Sequence, residues 1–215
     1  MLAGLICMCV DSSSGNEFFE WQGALMMLFL ADISMKGMES ISGDYERGDY
    51  CHQWQGVECI NHHVDKIHFT AFPHGNFNLR ALPHSTTSIC IRNCKQTFEI
   101  QTRSLPQKLV FLSLILNKIW GRVDLTTLPP VLTTALLQRN KLTGPIKLTN
   151  LPESLYTLNL QYNNIQQEVV WYDNLPKTIR RIKLAMNGIG AVRAVNSANR
   201  AKRSIFPKMR KRNIH

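Results

Sequence analysis

The pair Leu-Pro recurs at a fixed interval, and no other feature of this 215-residue chain limits its fold as tightly. It falls at Leu82-Pro83, Leu105-Pro106, Leu128-Pro129, Leu151-Pro152 and Leu175-Pro176, with spacings of 23, 23, 23 and 24 residues. A period of this length marks a stacked array, in which one unit can bury its apolar face only against the next. Within one unit, LPESLYTLNLQYNNI, the residues Leu151, Leu155, Leu158, Leu160 and Ile165 stand four, three, two and five apart. A helix, with its 3.6-residue period, does not use such intervals, and neither does a plain alternating strand. A coil that turns corners does.

In register, the middle units read LPQKLVFLSLILNKIWGRVDLTT, LPPVLTTALLQRNKLTGPIKLTN and LPESLYTLNLQYNNIQQEVVWYDN, sharing the frame LPxxLxxLxLxxNxIxGxVxL. The flanking units are degenerate. In the Leu82 unit Cys94 takes the asparagine position, and in the Leu175 unit Arg193 replaces an apolar residue. An earlier unit from about Ile60 keeps Val64, Ile67 and Phe69 but has Phe72 at that position. The frame predicts a short strand around Leu158, with Leu158 and Leu160 pointing in and Thr157, Asn159 and Gln161 pointing out. Asn163 then turns inward, where a buried amide must bond backbone groups of its own and adjacent coils. Proline just ahead of the strand interrupts no ladder.

On these motifs the sequence resembles the leucine-rich repeat proteins over roughly residues 60–195. The resemblance implies an α+β, β-rich solenoid, a right-handed curved coil of about six turns with parallel strands on its concave face and a helical N-terminal cap. The stretch CHQWQGVECINHHVDKIHF resembles the cap segment of plant-type repeats, and LTGPI at residues 142–146 resembles their LxGxI. The Leu-Pro phasing of every coil is similar to that of repeat proteins from kinetoplastids and other protists. Most members of the family bind other proteins on the concave face. The organisation expected is an N-terminal segment over residues 1–17, a cap over 18–59, repeats over 60–198 and a basic, mobile tail over 199–215.

A cap is needed because the first coil would otherwise expose the end of the core and a strand edge. The apolar stretch 21–35, WQGALMMLFLADISM, is shorter than the ~18 uninterrupted residues of a membrane span. Glu17, Glu20 and Asp32 argue against a membrane-surface helix. It reads as the cap helix, with Trp21, Leu25 and Leu28 on the face toward the repeats, and Ala24-Leu25-Met26 resembles the Ala-Leu-Leu of plant-type caps. The run LAGLICMCV at residues 2–10 has no preceding base and no clear cleavage site, so it is equivocal as a secretory signal. The compartment therefore stays open between secreted or cell-surface and intracellular.

Cys51 and Cys59 could close a disulfide in an exported cap, or join His62 and His63 around zinc. Against zinc, there is no Cys-x-x-Cys knuckle, and adjacent histidines on a strand point to opposite sides. Cys90 is placed on the strand surface, and Cys7 and Cys9 in the first segment. No metal or cofactor is expected. Nor is an enzyme: between residues 61 and 192 the acids are only Asp65, Glu99, Asp124, Glu153, Glu168 and Asp173, without convergent bases or a Gly-rich phosphate loop.

Charge runs along the chain. Residues 1–60 carry nine acids and two bases, whereas residues 193–215 carry eight bases and no acid. The repeat register also selects the surface that would bind. Outward positions are Phe111, Ser113, Ile115 and Leu116; Thr134, Leu136, Gln138 and Arg139; Thr157, Asn159, Gln161 and Tyr162; then Arg181, Lys183 and Met186. Phe111, Ile115, Leu116 and Leu136 make an apolar patch with Gln138, Arg139, Gln161 and Tyr162 beside it, the arrangement of a protein-interaction site. Arg181 and Lys183 at the basic end suit an acidic partner. The alternative is nucleic-acid binding through the tail, where Lys202, Arg203, Lys208, Arg210, Lys211 and Arg212 could neutralise phosphates. The same string also reads as a nuclear localisation signal or a solubilising tail.

Overall fold

Each Leu-x-Leu segment forms a strand, and the strands stack in sequence order. In the computed structural model, which describes residues 16–42, 50–209 and 214, they are His63–Thr70, Ser88–Arg92, Phe111–Ser113, Thr134–Leu136, Thr157–Asn159 and Arg181–Lys183. Residues 1–15 of the expected first segment, and Arg210, Lys211 and Arg212, lie outside the described residues. All six strands pair in parallel, and the antiparallel strand Val57–Ile60 ends the seven-stranded sheet beside His63–Thr70. The register keeps step with the repeat: Leu112 partners Ala135, which partners Leu158, which partners Ile182. All four are inaccessible to water, as are Leu155 and Leu160, so the inward residues form one continuous core. The architecture is the curved β-solenoid of six coils that the periodicity predicts.

At the end of every strand one residue turns the chain inward with a positive φ. These are Ala71, Asn93, Leu116, Arg139, Tyr162 and Met186, with φ between 54° and 61°. Such a conformation is uncommon for side chains bearing a Cβ and costs ~1 kcal/mol or more. Backbone hydrogen bonds to the next coil hold it: Leu116 N–H donates to Gln138 O at 3.2 Å, Arg139 N–H to Gln161 O at 3.0 Å and Tyr162 N–H to Ala185 O at 3.2 Å.

The residue after each corner enters the core. Asn140 donates to Leu114 O (2.8 Å) in the preceding coil and Leu137 O (3.1 Å) in its own, while its Oδ1 accepts from Ile119 N–H (3.1 Å). Asn117, Asn163 and Asn187 repeat the pattern. Every buried rung thus satisfies backbone groups that no strand ladder reaches. Cys94 stands in for a rung, its thiol facing Arg92 O (3.2 Å) and Phe69 O (3.5 Å), and burial pushes that thiol's pKa up. Gln96, two residues on, adds the missing amide: its Oε1 accepts from Phe77 N–H at 2.7 Å and its Nε2 donates to Gly75 O at 2.8 Å. Phe72, at the first rung position, packs instead against Phe69 and Phe77 at ring distances of 5.3 and 5.6 Å.

Helices α1 (Asn16–Leu30) and α2 (Met35–Ile41) cover the N-terminal end. Here the structure corrects the sequence expectation. The face of α1 turned to the repeats carries Gln22, Met26, Phe29 and Leu30, whereas Trp21 is 71% and Leu28 55% exposed. Both faces are apolar, so periodicity did not choose between them. The choice falls on Gln22, which accepts from Val64 N–H (2.8 Å) and donates to His62 O (2.9 Å), pairing the backbone at the sheet's end. Cys51 and Cys59 form a disulfide, with Cα atoms 5.5 Å apart.

The C-terminal segment does not hang free as the sequence suggests. Phe206 is buried with its ring 5.5 Å from that of Tyr172, and Ala201 N–H donates to the Tyr172 hydroxyl at 3.1 Å. Asn199 Nδ2 donates to Asp173 Oδ1 (2.7 Å) and Asn174 Oδ1 (2.9 Å). Ile214, also buried, bridges to Val192.

Candidate protein-binding face

Outward side chains of neighbouring strands line up in columns because the repeat holds the register. Ser113 lies directly opposite Leu136. Phe111 and Ile115 flank Ser113 two residues to either side, so they share its face and meet Leu136 diagonally. The three apolar side chains are half-buried around a small, buried serine and form an apolar patch. The structure therefore brings Phe111, Ile115 and Leu136 together, as the register predicted.

Leu116, Arg139 and Tyr162 form the next line, but as corner residues rather than strand residues. Leu116 is 37% and Tyr162 43% exposed, and the Arg139 guanidinium sits 4.8 Å from the Tyr162 ring centroid, a cation–π contact. Gln138 is half-buried, and its Oε1 is buried without a hydrogen-bond partner among the described residues. Gln161 differs from the expectation: it is only 8% exposed, because outward side chains on a concave surface crowd one another. Arg181 is exposed and Lys183 half-buried on the last strand, separated from the apolar patch by Thr157 and Asn159.

Tyr156 is a residue the strand register missed. It is 52% exposed at the entry to its strand, with the Arg180 guanidinium 5.9 Å from its ring. A second Tyr–Arg pair thus borders the face at the opposite end from Tyr162 and Arg139. Its position immediately before the outward series was the available signal.

Outward positions from Ser88 to Met186 include Arg92, Arg139, Arg181 and Lys183 and no acid. Nearer the N-terminal edge Lys66 is paired with Glu58 at 2.8 Å. That hydrogen bond and its charge hold the Glu58 carboxyl below, and the Lys66 amine above, their ordinary ranges. Beyond this pair the face carries unneutralised positive charge.

Among the described residues no cluster of three or more His, Cys, Asp or Glu side chains could hold a metal ion. Cys51 and Cys59 are committed to their disulfide. No helix among the described residues is long and apolar enough to cross a membrane.

Several solved structures share this architecture. Pollen Receptor Kinase 3 superposes with a TM-score of 0.60 at 21% identity, covering 80% of this chain and 85% of that one. The leucine-rich repeat ectodomain of the receptor kinase SOBIR1 from Arabidopsis thaliana gives 0.56 at 15% identity, covering 81% and 96%. The fold is a leucine-rich-repeat solenoid. A chain of the BIR3–SERK2 complex from Arabidopsis thaliana gives 0.57 at 18% identity, covering 77% and 93%. At these identities the likeness concerns the fold. No family model and no curated protein matches the sequence.

Proposed function

We propose that the chain is a non-enzymatic protein-binding module that takes its partner on the concave face. The observation that carries this reading is the apolar patch of Phe111, Ile115 and Leu136, bordered by Leu116, Gln138, Arg139, Gln161 and Tyr162 and continued by Arg181 and Lys183. Interface energy concentrates in a few desolvated aromatic, apolar and arginine side chains inside a polar rim. Support also comes from the solved neighbours, one of which is a complex between two proteins. The disulfide supports an exported protein, because such bonds persist in oxidising compartments. Thiol counting with and without reductant on material from the native source checks that point.

The test of the face is to capture partners with the intact protein, identify one, and measure it against variants. Phe111→Ala and Tyr162→Ala should each weaken that partner by ~1 to 3 kcal/mol with little change in melting temperature. Arg139→Glu should mainly slow association. Lys147→Ala, away from the concave strands, is the control. Weakening by the control but not by Phe111→Ala would remove the concave face from consideration.

A further inference from the structure

At the C-terminal end a recess of about 800 Å³ opens between the Leu175-Pro176 turn of the last coil and the docked segment that follows the repeats. Lys177 and Arg180 stand on the coil wall, and Arg200 and Lys202 on the other wall. No acid lines it. Among the described residues none of these four cations has an ion-pair partner, and Arg180 makes only a hydrogen bond to Lys177 O (3.2 Å) and its contact with Tyr156.

Both walls are fixed by contacts that do not involve the four cations. Ile179 N–H bonds Pro176 O at 3.0 Å in the turn, while Phe206, the Tyr172 hydroxyl and the Asn199 amide hold the second wall. Docking therefore brings two pairs of like charges around one cavity, and their mutual repulsion works against the packing that places them there. A multivalent anion in the recess would reverse the sign of that term. Arginine offers a planar fork and lysine a point charge, the two donor types that take phosphate oxygens.

We propose that this recess binds a small, multiply phosphorylated anion, which clamps the C-terminal segment to the last coil. The site shares no residue with the patch of Phe111, Ile115 and Leu136 and does not depend on it. A free polyphosphate and a phosphorylated lipid headgroup present the same chemistry.

The experiment measures binding of pyrophosphate and of inositol hexakisphosphate to the full chain by calorimetry and thermal melting. It compares Lys177→Gln/Arg200→Gln with a remote double variant of equal charge, Lys118→Gln/Lys147→Gln. Inositol hexakisphosphate should raise the melting temperature of the parent, and Lys177→Gln/Arg200→Gln should bind it ~10-fold more weakly while the remote variant does not. At low salt without anion, Lys177→Gln/Arg200→Gln should melt above the parent, because repulsion is relieved. A vesicle arm containing phosphatidylinositol bisphosphate separates the sources. Vesicle binding that inositol hexakisphosphate competes away indicates a headgroup, and free-anion binding without vesicle binding indicates a soluble ligand. Equal weakening by both double variants, no anion binding, or binding only to a long single-stranded oligonucleotide would each overturn the site.

Discussion

The middle coils and the first two coils place different chemistry at the same point in the repeat. From Asn117 to Asn187 the inward position is an asparagine whose amide bonds the coil before it as well as its own. At the N-terminal end the position holds Phe72 and then Cys94. The rung is directional, and that explains the phenylalanine of the first coil. Each amide needs backbone groups from a preceding coil, and the first coil has none. An asparagine at position 72 would carry buried polar atoms with too few partners, whereas Phe72 joins the ring cluster with Phe69, Phe77 and Phe29. A repeat array is thus not free to repeat at its start.

The largest test of this contrast is removal of a middle rung. Asn140→Leu strands the N–H of Ile119 in the core and takes one of two amide donors from each of the Leu114 and Leu137 carbonyls, which keep Asn117 and Asn163, and it should cost ~3 to 5 kcal/mol in urea unfolding. A loss under 1 kcal/mol would mean that the rungs are incidental to stability.

The N-terminal end has other ties. Replacing both cysteines, Cys51→Ser with Cys59→Ser, opens a crosslink between residues 8 apart. Loop-closure entropy for so short a segment predicts a loss of ~2 to 3 kcal/mol. If the melting temperature of the double variant matches that of the parent, helix α1 and the phenylalanine cluster hold the end without the disulfide.

The smallest effect sharpens the contrast at its boundary. Cys94 already faces Phe69 O and Arg92 O and has a complete coil before it, so Cys94→Asn should be tolerated and gain up to ~1 kcal/mol. A loss larger than that gain would show the second coil to be shaped around sulfur, with Gln96 holding the groups an asparagine would need.

How much of this was legible depended on whether a position carried a period. The coil register, the inward Leu158 and Leu160, the Asn163 rung and the grouping of Phe111, Ile115 and Leu136 all followed from the Leu-Pro phase. In α1 the phase was silent, because Trp21, Leu25 and Leu28 make as good a stripe as Met26, Phe29 and Leu30. Gln22 decides between them through backbone partners 40 and 42 residues away, which no local pattern encodes. The C-terminal segment misled for a related reason. Its density of arginine and lysine reads as solvated chain, yet Phe206, Ile214 and the hydrogen bonds of Asn199 and Ala201 dock it. Gln161 was placed on the correct face but not at the correct depth, since crowding on a concave surface depends on the neighbouring strands.

The corner residues carry one more implication. Leu116, Arg139 and Tyr162 share one backbone conformation although their side chains differ in size, charge and aromaticity. What fixes the conformation is the hydrogen bond from the backbone N–H, to which the side chain contributes nothing. The corner line is therefore a row of interchangeable mounts. Its side chains can be rewritten one at a time while the leucines and asparagines behind them stay constant, so binding preference and folding can drift separately in a chain built this way.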